Sequence, residues 1–454
     1  MHRNSENVST KQQRIAELAK RSPEMAFTSL AYLMDIAWLR EAYRRTRKDG
    51  AVGIDGMTAR AYEADLEGNL RSLLDRAKSG SYRAPAVRRV HIPKGGSKTE
   101  TRPIGIPTLE DKVLQRAVLM LLEPIYEVDF HEFSYGFRPG RSAHMAIDAT
   151  WKHAMNLGGG WILEVDLRKF FDTLDHGHLR AFLQQRVRDG VLKRLIGKWL
   201  NAGVMEHGSV SYPDSGSPQG GVISPLAANV YLHYVLDDWF EHVVKSRLRG
   251  QAYLVRYADD FAIVFEHEDD ARRVMAVLPK RCDKYGLTVH PDKTRLIDFR
   301  RPDKRPADTL SQDRGDGASH SDSHTFDLLG FTHYWGRSRR GTWVVKRKTA
   351  SKRLTRAVQN VGRWCRANRH EPITVQHAKL SRKITGHYAY YGITGNGPSL
   401  RSFLCLVHRA WHRWLNRRHR KRTMNWQKFN RLLERYPLPP IRVVHSVYAR
   451  AANP

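Results

Sequence analysis

Apolar positions step by three and four through Phe27, Leu30, Leu33/Met34, Ala37/Trp38 and Ala42, which predicts an amphipathic helix over Pro23–Arg47. A Gly-rich loop follows at Lys48–Gly56. Val87–Ile92 and Arg102–Ile106 read as two short strands around a basic, Gly-containing turn, and Glu110–Val128 reads as a helix. Trp161–Asp166 is a short apolar run that ends on an acid. Tyr253–Tyr257 and Phe261–Phe265 are apolar runs separated only by Ala258-Asp259-Asp260, the layout of a tight hairpin. Asp269–Tyr285 is then helical with Gly286 as its stop, and Leu287–His290 and Arg295–Phe299 read as further strands. This order predicts an α+β fold, an antiparallel sheet backed by helices.

The pattern breaks at Arg301–His324, which is rich in Pro, Asp, Ser, Gly and Arg and reads as a surface loop. After Leu328–Phe331 the chain reads as mostly helical. Leu400, Phe403, Val407, Trp411 and Trp414/Leu415 mark one apolar face, with Arg401, Arg409, Arg413 and Arg417 off it.

Composition adds a partner class. The 454 residues suggest about three domains, and a hydrophobic fraction of 41% is enough for packed cores. The net charge of +31 is concentrated at one end. From Trp335 to Pro454 there are 28 basic and two acidic residues, together with six of the eleven tryptophans. The other 334 residues carry a net charge of only +5. Cations interleaved with aromatics suit phosphate contacts plus base stacking, so the polyanion expected is nucleic acid. The three cysteines are widely spaced, which argues against a disulfide framework or a Cys-rich zinc site and for a reducing, cytoplasmic setting. The polar N-terminus does not read as a secretory signal, and no 18-residue apolar run predicts a membrane span.

The sharpest chemical signal is Asp166 at a strand end together with Asp259-Asp260 at a hairpin turn. Acids beside apolar strands are costly unless compensated. Mg²⁺ compensates with oxygen ligands, and a metal pair can activate a hydroxyl and stabilise the leaving oxygen of an in-line displacement. Neighbouring residues of a strand point to opposite faces, so Asp259 and Asp260 are not equivalent. Asp166 and Asp259 are expected to bridge two Mg²⁺ ions, with Asp260 nearer one ion or supporting the turn. An Asp pair is also an ordinary polar turn, so the surroundings decide.

Those surroundings are ordered blocks: Gly53–Gly56, Ile92-Pro-Lys94, Arg102–Pro107, Ser134-Tyr-Gly-Phe-Arg-Pro-Gly-Arg-Ser142, Val165–Asp172, Gly216-Ser-Pro-Gln-Gly-Gly221 with Ser224–Asn229, Tyr257-Ala-Asp-Asp260, His290-Pro-Asp-Lys293 and Leu329-Gly-Phe331. In this set and order the sequence resembles reverse transcriptases, and among them the group II intron-encoded reverse transcriptase/maturases. His387-Tyr-Ala-Tyr-Tyr-Gly392 resembles the family's thumb, or maturase, region.

The resemblance implies a right hand of fingers, palm and thumb. Residues 1–50 would be a helical extension, 51–332 fingers and palm, and 333–454 the basic thumb/maturase region, without the zinc-dependent nuclease domain that many relatives carry at the C-terminus. Asp166, Asp259 and Asp260 match the metal-binding triad, with two Mg²⁺ as cofactors. Phe171 matches the gate that excludes a 2′-hydroxyl. Lys94 and Arg102 match residues that hold the incoming triphosphate, and Gln219 one beside nucleotide and template. Lys293 is a candidate proton donor to the pyrophosphate leaving group. Arg138, Arg141 and Tyr257 match positions that contact nucleic acid. The implied partners are group II intron RNA, an RNA template with a DNA primer, target DNA and deoxynucleoside triphosphates. Two other functions compete: a domesticated or defence-linked reverse transcriptase (retron, CRISPR-associated or diversity-generating type), and an RNA-binding splicing factor without polymerase activity.

Overall fold

A computed structural model describes residues 2–93, 101–206, 209–212, 220–305, 324–418 and 423–446. These fall into two compact units. The first comprises described residues up to 150 together with 161–296; the second comprises 151–160 and described residues from 297 onward. The division therefore falls upstream of the 332/333 boundary read from the sequence.

The strands in chain order are β1 (Val87–Pro93), β2 (Thr101–Ile106), β3 (Trp161–Arg168), β4 (Val204–Glu206), β5 (Ser209–Ser211), β6 (Ala252–Tyr257), β7 (Asp260–Phe265), β8 (Thr288–Val289), β9 (Arg295–Asp298), β10 (Phe326–Leu328), β11 (Phe331–Arg337) and β12 (Trp343–Thr349). The first unit holds a four-stranded sheet ordered β2-β1-β4-β5 and a second sheet ordered β6-β7-β3-β8. The pairing of β6 with β7, β7 with β3 and β3 with β8 is antiparallel throughout. Phe261, Ala262, Ile263, Val264 and Phe265 are all buried, so β7 is the central strand of that core. The helix Glu268–Asp283 packs on β3 and β7.

The core of the first unit gathers around the long helix Leu109–Asp129. Thr108 caps this helix by accepting from the Asp111 N–H, and most of its length is buried. Trp38 is fully buried and its indole N–H donates to the Ala117 carbonyl at 2.9 Å.

The helix predicted over Pro23–Arg47 is shorter than its periodicity suggests. It runs only over Ile36–Arg45, started by Asp35, whose carboxylate accepts from the Trp38 N–H. The residues before it are drawn into tertiary bonds instead. Phe27 bridges to Val187, and the Asp189 carboxylate accepts from the Leu30 and Ala31 N–H groups at 2.7 and 2.8 Å. Arg186, itself buried, donates to the carbonyls of Ala19, Ser22, Pro23 and Met25. A buried side chain that collects main-chain groups competes directly with helical hydrogen bonds. A separate helix, His2–Arg21, precedes this segment.

The second unit includes the antiparallel sheet β10-β11-β12 and continues as helices Ser351–Ala367, Ile373–Tyr391, Gly397–Leu415 and Trp426–Arg435. The region is mostly helical, but residues 331–349 form a hairpin that the sequence reading did not separate from it. The expected face is buried: Leu400, Phe403, Val407, Trp411 and Leu415 pack with Val361, Leu380, Ile384 and Phe429. The expected loop at 301–324 includes a short helical turn at Pro302–Lys304; residues 306–323 lie outside the described residues. Cys282 and Cys365 are buried, Cys405 is exposed, and none is disulfide-bonded.

Candidate active site

The site grows out of the β3 and β6–β7 register. Val165 pairs with Phe261 and Asp166 with Asp260, while Tyr257 and Asp260 close the hairpin. The turn between them is Ala258-Asp259. Ala258 is buried and takes a left-handed conformation at φ 57°, which lets the chain reverse within two residues. The strand pairing thus fixes Asp260 opposite Asp166, and the turn places Asp259 at the hairpin tip.

Asp166 and Asp259 line one cleft of about 440 Å³, together with Arg102, Lys169, Phe170, Phe171, Asp172, His290 and Lys293. Burial pushes the Asp259 carboxyl up, and the neighbouring Asp166 charge adds to this. Its own N–H, Arg102 and Arg256 act in the opposite sense. Lys293 Nζ donates to Asp166 Oδ2 at 2.9 Å. The His290 N–H donates to the Asp166 carbonyl at 2.8 Å, so the turn that presents Lys293 is hung from β3 itself. Phe170 is buried in the core. Phe171 is half-buried, edge-on to Phe170 at 5.2 Å, with its ring on the cleft. Asp260 is exposed at the start of β7 and does not line this cleft.

The hairpin tip is held from behind by Arg256, fully buried in β6. Its guanidinium donates to Asp237 at 2.8 and 2.5 Å, to Asn229 Oδ1 at 3.0 Å, to the Ala258 carbonyl at 3.2 Å and to Ser134 Oγ at 2.7 Å. The Asp237 carboxylate is equally inaccessible. A buried ion pair wrapped in hydrogen bonds fixes geometry, because any rearrangement strands a charge in the core. Asn229 also donates to the Gly136 carbonyl at 2.7 Å. Gly136 must be glycine here, since a Cβ would lie 2.2 Å from the Ala258 nitrogen. The Ser134–Ser142 block and the Ser224–Asn229 block therefore meet at the back of the Ala258-Asp259 turn. The sequence reading missed Arg256, Asp237 and Ser134 as members of the site. Its only signal for Arg256 was a charge inside an apolar strand run.

Other expected site residues divide. Arg102 is exposed on β2 and faces the cleft. Arg141 is half-buried and donates to Glu132 at 2.9 Å. Tyr257 is half-buried beside Phe137 at 6.2 Å. Arg138 has a side chain 3% exposed, bound by Glu127 and by the carbonyls of His131 and Ser134. Lys94 and Gln219 lie outside the described residues. Next to the latter, Gly220 sits at φ 116°, where a Cβ would meet the Gly105 carbonyl at 2.4 Å.

The start of the following helix is anchored by a buried relay. Gln115 Oε1 accepts from the Val222 N–H at 2.7 Å, and its amide donates to Asp111 at 3.0 Å. Asp111 also accepts from Tyr82 and from the Trp199 indole, each at 2.6 Å. Burial lifts the Asp111 carboxyl to about 6, against the pull of these three donors.

From Trp335 onward the cations meet aromatic rings. Arg366, Arg413 and Arg417 lie 5.7, 5.6 and 5.3 Å from the centre of the Trp414 ring. Lys383 covers Trp364, and Arg337 covers Trp343 at 4.1 Å. No described helix is long and apolar enough to cross a membrane.

Comparison with known proteins agrees with this geometry. Residues 92–333 match the family described as reverse transcriptase (RNA-dependent DNA polymerase). The chain is 36% identical to protein YkfC of Escherichia coli over 291 residues, covering 57% of this chain and 75% of that protein. It is 37% identical to the group II intron-encoded protein LtrA of Lactococcus lactis over 224 residues, covering 49% of this chain and 37% of LtrA. It is 28% identical to nuclear intron maturase 2, mitochondrial, of Arabidopsis thaliana over 241 residues, 44% of this chain and 30% of that protein. The chain thus spans well under half the length of these two intron-related proteins. Reverse transcriptase domains use divalent metal ions, and the oxygen-rich, negatively charged tip at Asp166 and Asp259 is a donor set of that kind. With the family match covering the cleft and the hairpin alike, the chain belongs to the reverse transcriptases.

Proposed function

We propose that this protein copies RNA into DNA from a primer 3′-hydroxyl, and that it binds its intron RNA as a maturase that promotes splicing and mobility. The observation that carries the polymerase reading is the convergence of Asp166 and Asp259 on one cleft with Lys293 2.9 Å from Asp166. Asp166 and Asp259 would hold two Mg²⁺ ions, with Asp260 beside them. Bound there, the ions supply charge neutralisation and a more acidic primer hydroxyl.

The remaining work falls to side chains. Arg102, and Lys94 with it, neutralises the incoming triphosphate. Lys293 Nζ gives its proton to the departing pyrophosphate oxygen. The Phe171 ring occupies the space a ribose 2′-hydroxyl would need, so deoxynucleotides are preferred. Gln219, Arg141 and Tyr257 contact nucleotide, template or primer. The cation–aromatic faces of the second unit support the maturase half of the reading, by holding the phosphates and exposed bases of folded RNA.

Primer extension on an RNA template tests it. DNA synthesis should require Mg²⁺ and should strongly favour deoxy- over ribonucleotides. A protein that binds intron RNA tightly yet extends no primer with any divalent ion would leave only the splicing-factor function.

A further inference from the structure

The first unit carries a second group of ligating side chains that shares no residue with the cleft. His131 follows the Leu109–Asp129 helix, while His233, Asp238 and His242 lie on the long helical run from Ser224 to Arg247. His131 Nε2 stands 2.7 Å from Asp238 Oδ1. One ligand atom from each of His131, Asp238 and His242 lies within 4.8 Å of the other two.

The backbone is shaped to bring these groups together. The helical run widens into π turns at His233–Asp237 and Phe240–Val244. The Asp238 N–H bonds to the His233 carbonyl, five residues back. In an α-helix residues five apart diverge around the axis, whereas a π turn returns them to one face. Asp238 Oδ2 consequently lies 3.5 Å from His233 Nε2, and His242 follows Asp238 by four residues on the same side. The Phe133 ring stacks on His131 at 5.0 Å and 4°, while Phe130 meets His233 edge-on at 5.5 Å. The ligating atoms therefore have an aromatic wall on one side and solvent on the other, through the exposed His242.

We infer that His131, Asp238 and His242 form a site for a divalent transition-metal ion of the zinc type, which staples the loop after the Leu109–Asp129 helix to the helical run Ser224–Arg247. Two imidazoles and one carboxylate suit zinc, cobalt or nickel and are a poor set for Mg²⁺, which takes oxygen ligands. Ligand atoms about 2.0–2.1 Å from a tetrahedral zinc ion stand roughly 3.3 Å apart, so side-chain rotation alone closes the site. On binding, His131 would coordinate through Nε2 as the neutral imidazole with its proton on Nδ1, any second ring proton would leave to solvent, and metal–ligand bonds would replace the hydrogen bond to Asp238. His233 Nε2 lies 3.5 Å from the second carboxylate oxygen. The stapled loop leads directly to Ser134, which bonds Arg256 behind the Ala258-Asp259 turn.

The test titrates the full chain with Zn²⁺ by calorimetry and with Co²⁺ by visible absorption, in excess Mg²⁺ so that the carboxylate cleft is already filled. The wild type should bind one ion per chain with a cobalt spectrum of nitrogen-ligated, low-coordinate character, and Zn²⁺ should raise its Tm. His242→Ala, at an exposed position, should keep the wild-type Tm in chelator, weaken binding by about tenfold or more, and lose the Tm rise. His131→Ala should weaken binding likewise. Equal Zn²⁺ affinity in the wild type and both variants, or binding that Mg²⁺ displaces, would overturn the site.

Discussion

The first unit and the stretch of the second from Trp335 onward use positive charge in opposite ways. In the first, arginines turn inward and meet the protein's own carboxylates: Arg256 with Asp237, Arg186 with Asp129, Arg138 with Glu127. In the second, only Glu371 and Glu434 are available from Trp335 onward to answer 28 basic residues. Arginines and a lysine of that stretch sit on tryptophans instead. Charge neutralised internally fixes geometry, whereas charge left unneutralised recruits a polyanion. On the proposed function, the first unit would hold the Asp259 turn still and the second would hold RNA.

The strongest way to break this contrast is at Arg256. Arg256→Met leaves Asp237 buried without its partner and should destabilise the first unit by about 3–5 kcal/mol, read from denaturant unfolding. Adding Asp237→Leu should restore most of that stability while primer extension stays impaired, because Ala258 and Ser134 remain unheld. Full recovery of synthesis in the double variant would reduce Arg256 to a packing role.

A second test concerns the internal cost of a buried acid. The Asp111 carboxyl is raised from 3.8 to about 6 by burial, so the folded state favours its protonated form. The associated stability is complete at low pH and declines as pH rises through roughly 4 to 6. Relative to Asp111→Asn, the wild type should lose up to about 3 kcal/mol across that window and then change little. A difference between the two proteins that does not vary with pH would contradict this.

Smaller effects sharpen the functional side. Phe171→Ala should lower the preference for deoxynucleotides by on the order of tenfold to a hundredfold in competition assays, with some loss of stability because the ring also packs against the core beside Phe170. Replacing Arg366, Arg413 and Arg417 by Gln should flatten the salt dependence of RNA binding by about two to three in log–log slope, if each meets one phosphate. An unchanged slope would mean that the Trp414 face is not where RNA lies.

Much of the first unit was legible because its signals are local. Tyr253–Phe265 holds two apolar runs around a short polar turn, and Trp161–Asp166 is an apolar run with an acid at its end; both became the expected strands. Local signals failed where tertiary bonds overrode them. Phe27, Leu30 and Leu33 have helical spacing, yet Asp189 and Arg186 capture the main chain there. Within the helical extension expected over 1–50, His2–Arg21 was not separated as an element of its own because its residues are mostly polar, and the hairpin β11–β12 was missed because its charge density resembles the helices after it. Arg138 matches a template-contacting block, and only the fold shows that Glu127 and two carbonyls bind its side chain.

The central claim is that Asp166 and Asp259 jointly create a place for divalent ions. The direct measurement is Mn²⁺ binding by electron paramagnetic resonance, on the full chain with primer, RNA template and a deoxynucleoside triphosphate. The account predicts two bound ions in the wild type and loss of that binding, together with DNA synthesis, in both Asp166→Asn and Asp259→Asn. Retention of two ions and of synthesis in either variant would contradict it.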